Sequence, residues 1–380
     1  MKRGILGLSL AVLLMFPYVM EVRGQEAKPA TSGEAKPALT LEEIKNLLGM
    51  SIFLQGGYTF NFENPDSGIN RQRIFDQKDN SFLLDLAQIQ FAKDPAVGGL
   101  GYKLKLSYGE TAKYIPSAGL GNPNDEFDLT EAHMNYVAPL GSGLKLQFGK
   151  FVTYHSAEVI EAKDNFNYSR SFLFNYAVPF THTGFMAGYK FSDAITGSLY
   201  VVNGWDVATD NNKGKTFGVG LALAPMDALQ LNFNFMYGPE QANNTSNNRF
   251  LFDWVVTFKA MKNLTFMANV DYGNEAKDPL NSGRDSEWYG VAGYVKYDFT
   301  DSFSMAVRGE YFNDKDGVRT GIAQELKEIT LTADFKIAKN LLVRPEYRHD
   351  WSDKNAFDSQ HNLLDSKSQN TIALGVMYTW

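Results

Sequence analysis

Gln369-Asn370-Thr371-Ile372-Ala373-Leu374-Gly375-Val376-Met377-Tyr378-Thr379-Trp380 alternates without a break. Ile372, Leu374, Val376, Tyr378 and Trp380 fall on one side of an extended chain; Thr371, Ala373, Gly375, Met377 and Thr379 fall on the other. A side-chain period of two is what a strand produces. The pattern recurs along the chain, with one face consistently more apolar and aromatic. Phe303, Met305, Val307 and Tyr311 oppose Ser304, Ala306, Arg308 and Glu310, and Leu264, Phe266, Val270 and Tyr272 oppose Thr265, Asn269 and Asp271. A Lys or Arg facing hydrocarbon near the bilayer midplane costs about 2–4 kcal/mol, and the charges within these strands sit on the other face. The expected fold is therefore all-β: a transmembrane antiparallel β-barrel, with hydrocarbon outside and water inside.

Sixteen strands are expected, the first over 51–63 and the last over 369–380, with connections that alternate short and long. Pro139–Ser142, Ser192–Ala194, Thr300–Asp301 and Ala338–Asn340 are short; Pro65–Asn80, Thr111–Glu126, Asn274–Glu287 and Asp353–Ser368 are long and polar. Short periplasmic turns and long extracellular loops are the bacterial outer-membrane arrangement. Two irregularities are expected as bulges: a phase break near Ala87, and Pro345, which removes a ladder hydrogen bond.

Lys2 and Arg3 precede an apolar run from Ile5 to Phe16, and Val22-Arg23-Gly24 offers a cleavage site, so residues 1–24 read as a signal peptide. Residues 25–49 read as a periplasmic lead-in ending in a short amphipathic helix from Thr40 to Leu48, and residues 50–380 as the barrel. Loss of 1–24 removes three cations and one carboxylate and moves the net charge from −7 to −9. An acidic chain argues against nucleic acid as a partner, and the absence of cysteine excludes disulfides and thiolate chemistry.

The inward face carries Lys103, Lys105, Glu131, Lys145, Asp271, Arg308, Glu310, Glu328, Arg344, Glu346 and Arg348, which are expected to line a pore. Counted over the whole inward set the signs nearly cancel, which argues against strong selectivity from charge rings. The longest stretch without a strand, 154–178, contains Glu158, Glu161, Asp164 and Arg170 and the aromatic residues Phe166, Tyr168, Phe172, Phe174 and Tyr176. A loop this long is usually functional or disordered, and its aromatic content argues against disorder. It is expected to fold into the lumen as a constriction, its acids opposing the Arg308–Arg344–Arg348 side of the wall.

Catalytic and metal-binding patterns are thin. The five histidines are His133, His155, His182, His349 and His361, and no Gly-x-Ser-x-Gly elbow or His-Glu-x-x-His pair occurs. His155, Glu158 and Glu161 lack a third strong ligand and read as an ordinary polar loop. No metal, cofactor or reaction is expected. The alternative is a barrel with a structural, adhesive or hydrolytic role rather than an open pore.

Gly149-Lys150-Phe151, Glu158-Val159-Ile160-Glu161, Asn167-Tyr168-Ser169-Arg170-Ser171, Pro179-Phe180-Thr181-His182-Thr183-Gly184 and Asn203-Gly204-Trp205-Asp206, taken in order, resemble the OmpL-like β-barrel porin family of outer-membrane proteins. The resemblance implies passive diffusion of small hydrophilic solutes across the outer membrane of a Gram-negative-type bacterium. It also implies contact with outer-membrane lipid and lipopolysaccharide, insertion by the barrel-assembly machinery, and assembly as a homotrimer. The terminal tryptophan resembles the aromatic insertion signal of such proteins.

Overall fold

The computed structural model describes residues 39–122 and 125–380; the expected signal peptide and most of the lead-in lie outside them. A short helix α1 (Leu41–Leu48) precedes sixteen strands. These are β1 (Met50–Asn61), β2 (Ser81–Lys93), β3 (Leu100–Tyr108), β4 (Phe127–Ala138), β5 (Leu144–Val152), β6 (Thr181–Ser192), β7 (Ile195–Val202) and β8 (Thr216–Met226). They continue with β9 (Leu229–Pro239), β10 (Asn248–Met261), β11 (Leu264–Asp278), β12 (Arg284–Asp298), β13 (Phe303–Asp314), β14 (Gln324–Ala338), β15 (Leu341–Ser352) and β16 (Ser368–Thr379). Each strand pairs antiparallel with its sequence neighbours, and β1 pairs with β16 from Phe53↔Thr379 to Asn61↔Thr371, so the sheet closes and no edge is left. At the closure, the Lys45 ammonium of α1 sits 4.2 Å over the Trp380 ring, and Tyr102 Oη donates to the Leu48 carbonyl at 3.1 Å.

Alternation decides facing. Thr371, Gly375 and Met377 are buried inside the barrel, while Ile372, Leu374 and Val376 are exposed on its outer face. On β14, Thr330 is 0% exposed and its neighbour Leu331 43%, the contrast a lipid-facing strand requires.

The expected break near Ala87 is a bulge two residues earlier. Gln55 pairs with Leu86 and Gly56 with Leu84, so Asp85 is the extra residue. Asp85 and Leu86 consequently both point inward and are buried, and the bulge re-aims a carboxylate into the interior. The bulge expected at Pro345 does not form. The register runs unbroken from Thr332↔Glu346 to Phe335↔Val343, with no pairs at Ala333 and Asp334 between them. Proline's missing N–H interrupts the ladder, but no residue is added. The long loop expected over 274–287 is mostly strand, since β11 runs to Asp278 and β12 starts at Arg284. These strand ends have polar residues on both faces, so the apolar alternation is lost there.

Candidate functional site

The chain leaves β5 at Val152 and re-enters the wall at Thr181. Where it departs and returns, the Thr153 N–H donates to the Phe180 carbonyl at 2.9 Å. Between those points it has only short helical turns, at Ala162–Asp164 and Leu173–Ala177. A buried segment with so little regular structure must find other partners for its backbone N–H and C=O groups. Inward-facing charges of the wall provide them.

Glu346 accepts the N–H groups of Tyr168 (2.6 Å) and Ser169 (2.9 Å). Glu310 accepts those of Phe172 and Leu173, both at 2.7 Å. Arg344 donates to the carbonyls of Ala162 (2.6 Å) and Asn167 (3.0 Å), and Arg348 to that of Arg170 (2.6 Å). Farther round the wall, Asn269 Oδ1 accepts Ala157 N (2.9 Å), and Asp85 accepts the Tyr168 hydroxyl (2.6 Å). The segment therefore crosses the interior and reaches β2, β11, β13 and β15. Its apolar side chains Ile160, Phe172, Leu173 and Phe174 join Leu86, Ala292 and Phe312 of the wall in one buried cluster.

The acids of the segment are used less uniformly than expected. Glu158 meets Arg308 (2.8 Å) and also accepts Ser171 N (2.7 Å). Glu161 turns to Lys105 and Gln88 on the far wall, each at 2.8 Å. Asp164 pairs with Lys163 near the surface. Arg170 donates to the carbonyls of Tyr168 and Ile160 and lies 4.8 Å over the Phe75 ring. Thus one of the three wall arginines, Arg308, meets an acid of the segment. The other two hold its carbonyls and take their ion pairs from the wall itself, Arg344 with Asp334 and Arg348 with Asp350.

The remaining inward residues sort by access to water. Lys105 and Lys103 both contact Glu131, at 3.0 and 2.7 Å, and Glu328 holds Arg308 at 2.7 Å. Asp271 lies opposite Asp253, with Asn269 donating to both. Glu131, Asp253, Asp271, Glu310, Glu328, Asp334, Glu346 and Asp350 are all buried. The inward lysines near the short-turn end are not. Lys190, Lys259 and Lys336 are exposed, and Lys103, Lys145 and Lys296 are partly so. Lys145 lines a cavity of about 490 Å³ with Tyr154, Met186 and Asn232. Balanced by number, the inward charges are unbalanced by solvent contact; Asp298, 3.9 Å from Lys296, is the half-exposed carboxylate among these wall positions.

Several interior residues were not anticipated. Loop 62–80 folds inward, placing Arg73 against Asp350 and Asp76 (both 2.6 Å) and Phe75 against Phe174 and Phe180. At the long-loop end, Arg249 and Arg319 stack on Trp205 and Trp288. Trp288 carried a signal in the sequence, since it occupies an inward position in β12 where the alternation calls for a polar residue. Beside this cluster, Asp206 accepts Phe180 N and Thr181 N. Burial pushes its carboxyl up to about 6.

The fold has close relatives in shape and distant ones in sequence. The outer membrane channel DcaP of Acinetobacter baumannii superposes with a TM-score of 0.58 at 12% identity, covering 87% of this chain and 96% of that one. An anion-selective porin from Comamonas acidovorans gives 0.60 at 9%, covering 87% and 98%. The trimer form of OmpT from Vibrio cholerae gives 0.56 at 12%, again covering 87% and 98%. No curated protein matches the sequence. The family described as "Putative beta-barrel porin-2, OmpL-like" matches residues 48–380, the whole barrel and the end of α1. A closed sixteen-stranded wall, with its strands in the order and phase such a channel requires, accompanies that match. The chain belongs to the OmpL-like porin-2 family and is an outer-membrane diffusion channel.

Proposed function

We propose that this channel passes small hydrophilic solutes with a preference for anions, and that residues 154–178 set its size limit. The reading rests on the difference in water contact between the two signs of inward charge. Carboxylates such as Glu131, Glu328 and Asp350 are buried against cationic partners, whereas Lys145, Lys190, Lys259 and Lys336 face water. A buried, paired carboxylate does little to a passing ion, while an accessible ammonium in a narrow, low-dielectric mouth acts on it directly. Size selection follows from the crossing segment. Strands about 4.8 Å apart and tilted about 45° put a sixteen-stranded wall at a radius of roughly 17 Å. A segment anchored to several of those strands takes up much of that width.

The membrane in question is the outer membrane of a Gram-negative-type envelope, and the assembly a homotrimer like the trimer form of OmpT. No chemistry is required of the barrel. Reversal potentials in asymmetric KCl across planar bilayers test the charge preference, with chloride expected to be the more permeant ion. Liposome swelling with sugars of graded size tests the limit. Equal permeability for potassium and chloride would refute the anion preference.

A further inference from the structure

Arg249 and Arg319 lie at the long-loop end, on β10 and in the loop between β13 and β14. Both guanidinium groups sit 4.8 Å from the Trp205 ring centroid, and they lie 5.8 and 5.2 Å from that of Trp288. Stacking uses the flat face of a guanidinium and leaves the N–H groups at its edge free to bind. Glu275 takes the Arg249 Nε. Arg319 Nε donates to the Tyr176 carbonyl at 2.6 Å; among the described residues Arg319 has no carboxylate partner and its terminal nitrogens have no acceptor. Both arginines border a cavity of about 490 Å³ that also meets Trp288, Val318 and Leu280.

The neighbouring carboxylates are already engaged. Asp206 holds Phe180 N and Thr181 N, Glu240 holds Trp205 N and the Thr216 hydroxyl, and Asp314 holds Arg319 N and Thr320 N. Glu275 also takes Gln241, and Asp278 takes Leu280 N. Burial raises Asp206 to about 6 and shifts Glu240 upward as well, so both hold their charge less firmly than an exposed carboxylate. Burial, and then the adjacent Arg249 charge, pulls Arg319 down to about 10. Two cations thus share the Trp205 ring at the mouth, and of the two only Arg249 has a carboxylate in contact.

We infer that this pocket is a docking site for a small organic carboxylate, whose anionic end is taken by the Arg319 fork while its apolar or ring portion lies against Trp288 and Val318. The inference rests on the channel reading above and narrows it, since it names the class of solute captured at the outer mouth. A planar carboxylate matches the guanidinium edge in two parallel hydrogen bonds; a tetrahedral phosphate offers the same charge without the flat body.

The test uses the purified full-length protein and benzoate, gluconate and phosphate, with glucose as the neutral control. Tryptophan fluorescence in detergent reads binding, since two of the chain's five tryptophans form the platform. Conductance in planar bilayers reads passage. Saturable quenching and current block by benzoate are expected, with weaker effects from phosphate and none from glucose. Arg319→Gln should weaken benzoate binding by about tenfold or more. Arg319→Lys, which keeps the charge and loses the fork, should recover little of that binding. Quenching that is identical in wild type and Arg319→Gln would overturn the site, as would phosphate binding more tightly than benzoate. Benzoate binding lost on mutation, in a protein that conducts nothing, would support the site and refute the diffusion reading instead.

Discussion

Glu310→Ala combined with Glu346→Ala removes the acceptors of four backbone N–H groups, those of Tyr168, Ser169, Phe172 and Leu173. A hydrogen bond to a charged group contributes about 1.5–3 kcal/mol net, so the double replacement weakens docking by roughly 6–12 kcal/mol. That rivals the ~5–15 kcal/mol that holds a whole domain together, yet it falls on one segment. The wall keeps its ladders, and its arginines keep acids: Arg308 with Glu328, Arg344 with Asp334, Arg348 with Asp350. The segment should come loose inside an intact barrel. With inward side chains allowed for, an unobstructed sixteen-stranded lumen is roughly 20 Å wide, so single-channel conductance in KCl should rise at least about twofold. Glu→Gln at both positions retains a carbonyl acceptor and should give about half the loss of docking energy. Thermolysin cleavage within 158–174 reports release independently. A segment that becomes cleavable while conductance stays constant would refute its role as the constriction. A segment that stays protected would refute the energetic argument.

Other expectations follow from the same geometry. Leu331→Lys places a charge on the lipid face and should destabilise the barrel by about 2–4 kcal/mol in a urea titration in lipid. Lys145→Glu with Lys259→Glu should move the reversal potential toward potassium; an unmoved potential would show that these lysines lie off the ion path. Asp206, raised to about 6 in the folded protein, holds its proton more tightly there than in the unfolded chain. Its contribution to stability is therefore complete below the ordinary carboxyl range and is lost as pH rises toward 6. The infrared carboxylate titration near pH 6 should be smaller by one group in Asp206→Asn.

Period-two alternation carried most of the wall, because in a barrel each strand faces lipid and lumen in turn. β16 and β13 were readable residue by residue for that reason. The pattern weakened where strands leave the membrane, as in residues 274–278 of β11, and at Asp85, where one inserted residue shifts the phase. Inward charges could be recognised as inward, but their partners could not. Arg344 and Arg348 bond to carbonyls about 180 residues away in sequence, and only the folded path of the segment brings those carbonyls within reach. Loop arginines such as Arg73 and Arg319 carried no periodic signal, because loops have no face. Burial was the largest hidden variable, and it turned a balanced charge count into an uneven one.

The separation in sequence between the crossing segment and its anchors orders biogenesis. Tyr168 and Ser169 wait for Glu346, and Phe172 and Leu173 for Glu310, residues 137 to 178 positions farther along the chain. The crossing segment can meet Asp85, Gln88 and Lys105 early, but it lacks these backbone anchors until β13 to β15 have joined the sheet. Because closure by β16 comes after those strands, the segment can be seated as the barrel seals, so that an open sheet rather than an open channel is its unanchored precursor.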